Sequence, residues 1–258
     1  MRRIYFSILV LCIAAGCGGE LDPEGRRLLQ TGKTAYAQGA YGVADRDLTA
    51  FLDAYSRSNE AAEALYYRGL ARRKTGDLDG AAGDLRKAAE EADTREMRGK
   101  ALVALGDVEF EANRTAGAER AYREALEGIE TGRPPADRAH FQLGRVLQRQ
   151  GRWEDADLQF DRVMYLFENT SLAERAASRV RGRAWTIQIG AFRERARAEA
   201  LADRAEKRGM PAVVSAATRG GAPIFPVHVG RHATYEQAER ALPAVRGIQS
   251  DAFITTTR

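Results

Sequence analysis

From Trp185 to the C-terminus, apolar and polar residues alternate in short runs separated by two stretches of helical period. Trp185, Ile187 and Ile189 fall on one side of an extended run and Thr186 and Gln188 on the other, the period-2 pattern of a half-buried strand ending at Gly190. Phe225 to Gly230 repeats the pattern. Each run precedes a helical period: Ala198, Leu201, Ala202 and Ala205 within 194–208, then Ala238, Ala241, Leu242 and Val245 within 234–245. Gly209 and Gly247 mark the helix ends. Two further extended runs, 212–216 and 252–256, complete an order of strand, helix, strand, strand, helix, strand, the split βαβ or ferredoxin-like arrangement.

Residues 26–181 are helical in pattern and repeat themselves. Gly32, Gly69, Gly106 and Gly144 recur at spacings of 37, 37 and 38 residues. Twelve residues after each stands Ala44, Ala81, Ala118 or Ala156, and four further on Leu48, Leu85, Tyr122 or Phe160. Turn-forming residues fall between, as Gln38-Gly39, Thr75-Gly76, Ala112-Asn113 and Gln150-Gly151. This is the logic of paired helices: small residues allow close approach, and a large one fills the space beside them. One pair cannot bury its own face, so four stacked pairs are expected to form a continuous right-handed solenoid. Ser171-Leu172-Ala173-Glu174 predicts a further helix to about Val180 that caps the stack, with Arg181-Gly182-Arg183 as the domain boundary. The fold class expected is an all-α helical-repeat solenoid at 26–181 followed by a small α+β ferredoxin-like domain at 183–258.

Two resemblances follow from these residues. Ile187-Gln188-Ile189-Gly190-Ala191-Phe192, the helix ending Lys207-Arg208-Gly209, and Val227-His228-Val229-Gly230 resemble the SPOR domain over about the last 75 residues. That resemblance implies binding to peptidoglycan, in particular glycan strands stripped of stem peptides at division sites, through the exposed sheet face. The repeats resemble the tetratricopeptide repeat in their glycine, turn, alanine and aromatic or leucine positions, with a longer period and few of its tryptophans and prolines. That resemblance implies a groove holding a protein or peptide partner, whose identity the residues do not name.

The glycan-binding candidates are Gln188, Ala191, Phe192 and His228. Alternation turns Ile187, Ile189, Val227 and Val229 toward the helices and Gln188 and His228 outward. An amide such as Gln188 both donates to and accepts from sugar hydroxyls and N-acetyl groups. Ala191 and Phe192 fall where the resemblance puts ligand; Phe192 either stacks on a sugar or plugs the core. Pro226 replaces a polar residue on a central strand, where proline belongs only at a strand start or a bulge. Arg231-His232 replaces the usual Pro-Phe. Both departures bear on glycan affinity more than on the fold.

At the N-terminus a basic Met1-Arg2-Arg3 precedes about a dozen apolar residues, too short a run to span a bilayer. It reads as a signal peptide over 1–16, and Ala14-Ala15-Gly16-Cys17 resembles the lipobox of bacterial lipoproteins. On that reading Cys17 carries the lipid and anchors the chain to a membrane through residues 17–25, a tether. Gly18 after the cysteine favours the outer membrane over inner-membrane retention. Of the two cysteines, Cys12 is removed and Cys17 alkylated, so no disulfide forms.

The net charge of +4 includes the two signal-peptide arginines, so the mature chain is weakly basic. Export and the lack of a basic patch interleaved with aromatics exclude nucleic acid as a partner. Residues 183–258 hold an excess of about five basic side chains, including Arg193, Arg195 and Arg197, a field that draws in anionic wall polymer or serves solubility. His228 and His232 lie four apart on a strand and its following loop, and His140 is distant, so neither a metal nor another cofactor is expected. No pair of carboxylates stands out for glycan cleavage. The sequence thus reads as a non-catalytic, lipid-anchored envelope protein that joins peptidoglycan to a protein partner. The alternatives are a scaffold whose last domain no longer binds glycan and, third, a peptidoglycan-processing enzyme.

Overall fold

The computed structural model describes residues 21–257. Nine helices, among the described residues, precede the first strand: α1 (Pro23–Ala37), α2 (Tyr41–Tyr55), α3 (Ala61–Thr75), α4 (Leu78–Glu90), α5 (Arg95–Glu111), α6 (Thr115–Gly128), α7 (Ala136–Arg149), α8 (Trp153–Leu166) and α9 (Ser171–Ala177). Then come β1 (Ala184–Phe192), α10 (Arg195–Glu206), β2 (Ala212–Val214), β3 (Ala217–Arg219), β4 (Ala222–His232), α11 (Tyr235–Arg246) and β5 (Phe253–Thr257). The chain divides into two compact units, Met1–Ala101 and Leu102–Arg258, a division that falls inside α5.

The first unit holds the hairpins α1–α2 and α3–α4. Helix α1 starts at Pro23, inside the stretch read as tether, because Asp22 caps it by accepting from the Gly25 N–H at 2.7 Å. A Cβ on Gly32 would lie 2.6 Å from Leu48 Cγ, and one on Gly69 2.7 Å from Leu85 Cγ. These approaches account for the repeated glycine: each leaves room for a fully buried side chain of the next helix. Asp84, buried on α4, takes two bonds from Arg68 and one from Arg72 of α3, and Arg72 also reaches Asp45 of α2. Ionic bonds of this kind fix register between helices more than they add net stability.

In the second unit the same rule recurs with larger partners. A Cβ on Gly106 would lie 2.5 Å from the Tyr122 ring, and one on Gly144 2.7 Å from Phe160. The buried Tyr122 hydroxyl donates to Asp107 at 2.7 Å. Gly39, Gly76 and Gly151 turn their hairpins with positive φ, and Asn113 takes that place in the third, at φ 60°. Asparagine tolerates this conformation better than other side chains. Helix α9 is capped by Thr170, one residue before the expected Ser171.

The C-terminal sheet has the order β2-β4-β1-β5 with antiparallel pairing throughout, and β3 forms an added arm on β4. Helices α10 and α11 cover one face, where Ile187, Ile189, Val227 and Val229 pack against Ala198, Leu201, Ala205 and Val245. Two details depart from the sequence reading. The run 212–216 ends early and β3 follows, closed by Gly220 and Gly221, both at positive φ. Strands β1 and β4 continue past Gly190 and Gly230; at Gly190 the missing Cβ makes room for the Phe192 ring and Leu201. Trp185 keeps the alternation with Ile187 and Ile189, since β1 pairs β5 in unbroken register and the extra residue of the first β1–β4 register shift lies on β4.

Trp185 also packs on the last repeat. Its ring lies 5.7 Å from that of Trp153 and 5.0 Å from that of Tyr235, and its Nε1–H donates to the Gln148 carbonyl at 2.8 Å. The expected boundary residues are fastened too: the Arg181 N–H and the Arg183 guanidinium both donate to the Asp157 carboxylate at 2.9 Å. Repeats three and four and the sheet domain therefore belong to one packed unit.

Candidate functional site

The exposed sheet face is built by strand register. Val213 pairs with His228, His228 with Gln188, and Gln188 with Phe253, so four side chains form one row across β2, β4, β1 and β5. Their neighbours Ala212, Val214, Val227, Val229, Ile187, Ile189 and Ile254 pack on the helix side, and alternation sends the row to the other face. Val213 is 65 % exposed and Phe253 50 % exposed, and between them Gln188 and His228 are half-buried.

Neither the Gln188 amide nor the His228 ring has a hydrogen-bonding partner among the described residues, so both are available to a ligand. Burial pushes the His228 imidazole below its ordinary pKa, which keeps it neutral at pH 7 with one donor and one acceptor nitrogen. The row offers two polar groups bracketed by two apolar ones and carries no carboxylate. It can hydrogen-bond hydroxyl or amide groups and cover the apolar face of a ring between them.

The other sequence candidates take different positions. Ala191 is exposed and pairs with Pro226, while the Phe192 ring turns inward and packs on the helix-side core. Pro226 lies on a central strand just past a register shift between Gln188 and Gly190, where the ladder is already interrupted, and its carbonyl still accepts from Ser215. Arg195 and Arg197 are paired with Glu199 and Glu194 at 2.8 and 3.0 Å, so their charge is locally balanced. Cys17, the expected lipid-attachment residue, lies outside the described residues. Phe253 and Val213 were not singled out from the sequence, although Ile254 and Val214 inside the core place both neighbours outside.

Residues 181–256 match the family model of the SPOR domain, and residues 63–93 match that of the tetratricopeptide repeat. No curated protein matches the chain. Among solved structures, a tetratricopeptide repeat protein from Parabacteroides merdae ATCC 43184 is similar at 16 % identity and a TM-score of 0.53, over 61 % of this chain and 59 % of that one. MamA is similar at 24 % identity and a TM-score of 0.50, over 61 % of this chain and 83 % of MamA. The chain thus spans about three-fifths of the first of these structures, and the likeness is one of fold. Among the described residues no helix is long and apolar enough to cross a membrane. The family matches, the helix hairpins and the β2-β4-β1-β5 sheet together identify the chain as a tetratricopeptide-type helical-repeat protein that carries a C-terminal SPOR domain.

Proposed function

We propose that this protein is a non-catalytic linker of the cell envelope, which holds peptidoglycan on its C-terminal sheet and a protein partner on its repeats. The observation that carries the reading is the row Val213–His228–Gln188–Phe253: two unpartnered polar groups between two exposed apolar ones, on the sheet face the SPOR domain family uses. Gln188 and His228 bond the sugar hydroxyl and acetamido groups, Phe253 and Val213 cover the ring faces, and Ala191 borders the site. Phe192 supports it from beneath.

The favoured ligand is glycan stripped of its stem peptides, as at a division site, because a flat row without a deep pocket accommodates an unbranched sugar chain. SPOR domains and tetratricopeptide repeats are binding modules, and the reading assigns the chain no catalytic step. Removal of residues 1–16 and lipidation of Cys17 would hold the protein on a membrane, the outer one, facing the periplasm; residues 18–21 leave it only a short tether before the Asp22 cap. The test is co-sedimentation of residues 21–258 with purified sacculi before and after amidase treatment. Binding that rises on removal of the stem peptides supports the reading; a folded chain that stays in the supernatant with both sinks it.

A further inference from the structure

Within the second unit, a cavity of about 360 Å³ lies between α7, α9 and the outer strand β5, and this lies apart from the glycan row. Arg145, Arg149 and Arg179 line it, with Phe110, Tyr235 and the β5 residues 254–256. The three guanidiniums are half-buried and have only neutral hydrogen-bond partners. Arg145 donates to Gln142 at 2.8 Å, Arg149 to Asn113 and the Phe110 carbonyl at 3.2 and 3.4 Å, and Arg179 to Gln148 at 3.3 Å.

Among the described residues no carboxylate lies within ion-pair distance of any of them, whereas Arg68, Arg72, Arg138 and Arg152 of the repeats each pair with one. Burial lowers the pKa of all three, and neighbouring guanidiniums lower those of Arg145 and Arg179 further. Three desolvated, mutually repelling cations without an anion are costly to assemble. Each retains N–H donors beyond the bonds named.

The cavity walls indicate what anion fits. The rings are already occupied: Arg149 covers Phe110 at 3.9 Å and Tyr235 at 4.6 Å, and Trp185 is held between Trp153 and Tyr235. No aromatic face is left on which a sugar could stack. Three consecutive residues of β5 border the cavity, although successive side chains point to opposite faces, so the border is the strand's edge. That edge is unpaired, since β5 ends the sheet. An unpaired edge matches the backbone of an extended peptide.

We propose that this cavity receives an acidic peptide segment, its carboxylate on Arg145, Arg149 and Arg179 and its backbone along the free edge of β5. The inference rests on the reading that the repeats take a protein partner, and it gives that partner a chemistry. It also places the protein contact beside the glycan-reading sheet, at its edge.

The test is titration of residues 21–258 with two capped probes, acetyl-Val-Thr-Val-Glu-amide and the same peptide ending in Gln, followed by Trp185 fluorescence and by calorimetry. The Glu peptide is expected to bind at least about tenfold more tightly than the Gln peptide, the difference a charge-assisted bond makes. The double substitution Arg145→Gln, Arg179→Gln is expected to remove that preference while sedimentation with sacculi is retained. Should the double variant misfold, Arg179→Gln alone is read, with a smaller loss expected. Equal binding of both peptides, binding of neither, or displacement by inorganic phosphate as readily as by the Glu peptide overturns the proposal. So does binding of a muramyl oligosaccharide with a free carboxylate in the peptide's place. A protein partner retained equally by wild type and the double variant also overturns it, while leaving the repeat–partner reading intact.

Discussion

The Trp185 indole N–H donates to the backbone carbonyl of Gln148, and this bond joins the first strand of the SPOR domain to α7, the first helix of the last repeat hairpin. Trp185→Phe removes the donor and part of the ring packed against Trp153 and Tyr235, for a loss of about 1–3 kcal/mol. Trp185→Ala should cost about 3–5 kcal/mol and uncouple the domain from the repeats. In calorimetry of residues 102–258, the wild type is expected to unfold in one transition and Trp185→Ala in two. A wild type that already shows two transitions would refute the packed unit.

The repeat glycines make a paired prediction. Gly69→Ala drives a methyl into Leu85 and toward the Ala81 carbonyl, so it should destabilise by about 1–3 kcal/mol. Gly83, on the same hairpin within α4, has open space at its Cβ position, and Gly83→Ala should stabilise by about 0.5–1 kcal/mol through helix propensity. Opposite signs in urea unfolding are the expected result; equal signs would remove the packing explanation of the repeat.

Stability should also depend on pH through the histidines. Burial lowers the pKa of His140, His228 and His232 in the folded chain. The unfolded chain therefore takes up protons first as pH falls, and stability is lost from about 6.5 downward until the folded-state values are passed. The melting temperature should be level from about pH 7 to 8 and fall toward pH 5. His140→Gln should flatten part of that slope, since His140 is the most buried of the three and its ring bonds Gln159 at 2.9 Å. A slope of opposite sign would show that the imidazoles are stabilised as cations.

Lipidation is tested by Cys17→Ser in cells. The wild type should partition with membranes and incorporate labelled palmitate, and the variant should do neither. A Cys17→Ser protein that stays in the membrane fraction would point to another anchor.

The repeats were legible because the same steric requirement recurs: a glycine must face Leu48, Leu85, Tyr122 or Phe160, and a fixed spacing follows from helix geometry. The sheet was legible to the extent that alternation was unbroken, which placed Gln188 and His228 on the open face. It failed between Gln188 and Gly190, where an extra residue on β1 reverses the parity and turns Phe192 inward, and at Thr186, which is buried and donates to the Val229 and Gly230 carbonyls. Asp22-Pro23 looked like a linker because a helix cap and a turn use the same residues. The arginine cavity could not be read from sequence at all, since Phe110, Arg149, Arg179 and Thr255 meet only through tertiary packing.

The central claim is that the row on the open sheet face reads bare glycan. The most direct measurement is titration of residues 21–258 with a soluble, stem-peptide-free glycan oligomer, comparing wild type with Gln188→Ala and Phe253→Ala, each verified as folded by circular dichroism. The account predicts saturable binding by the wild type and a loss of about tenfold or more in each variant, as expected for removing a polar anchor or a ring contact of about 1.4 kcal/mol. Wild-type affinity retained in both variants would contradict it, and so would a folded wild type that does not bind.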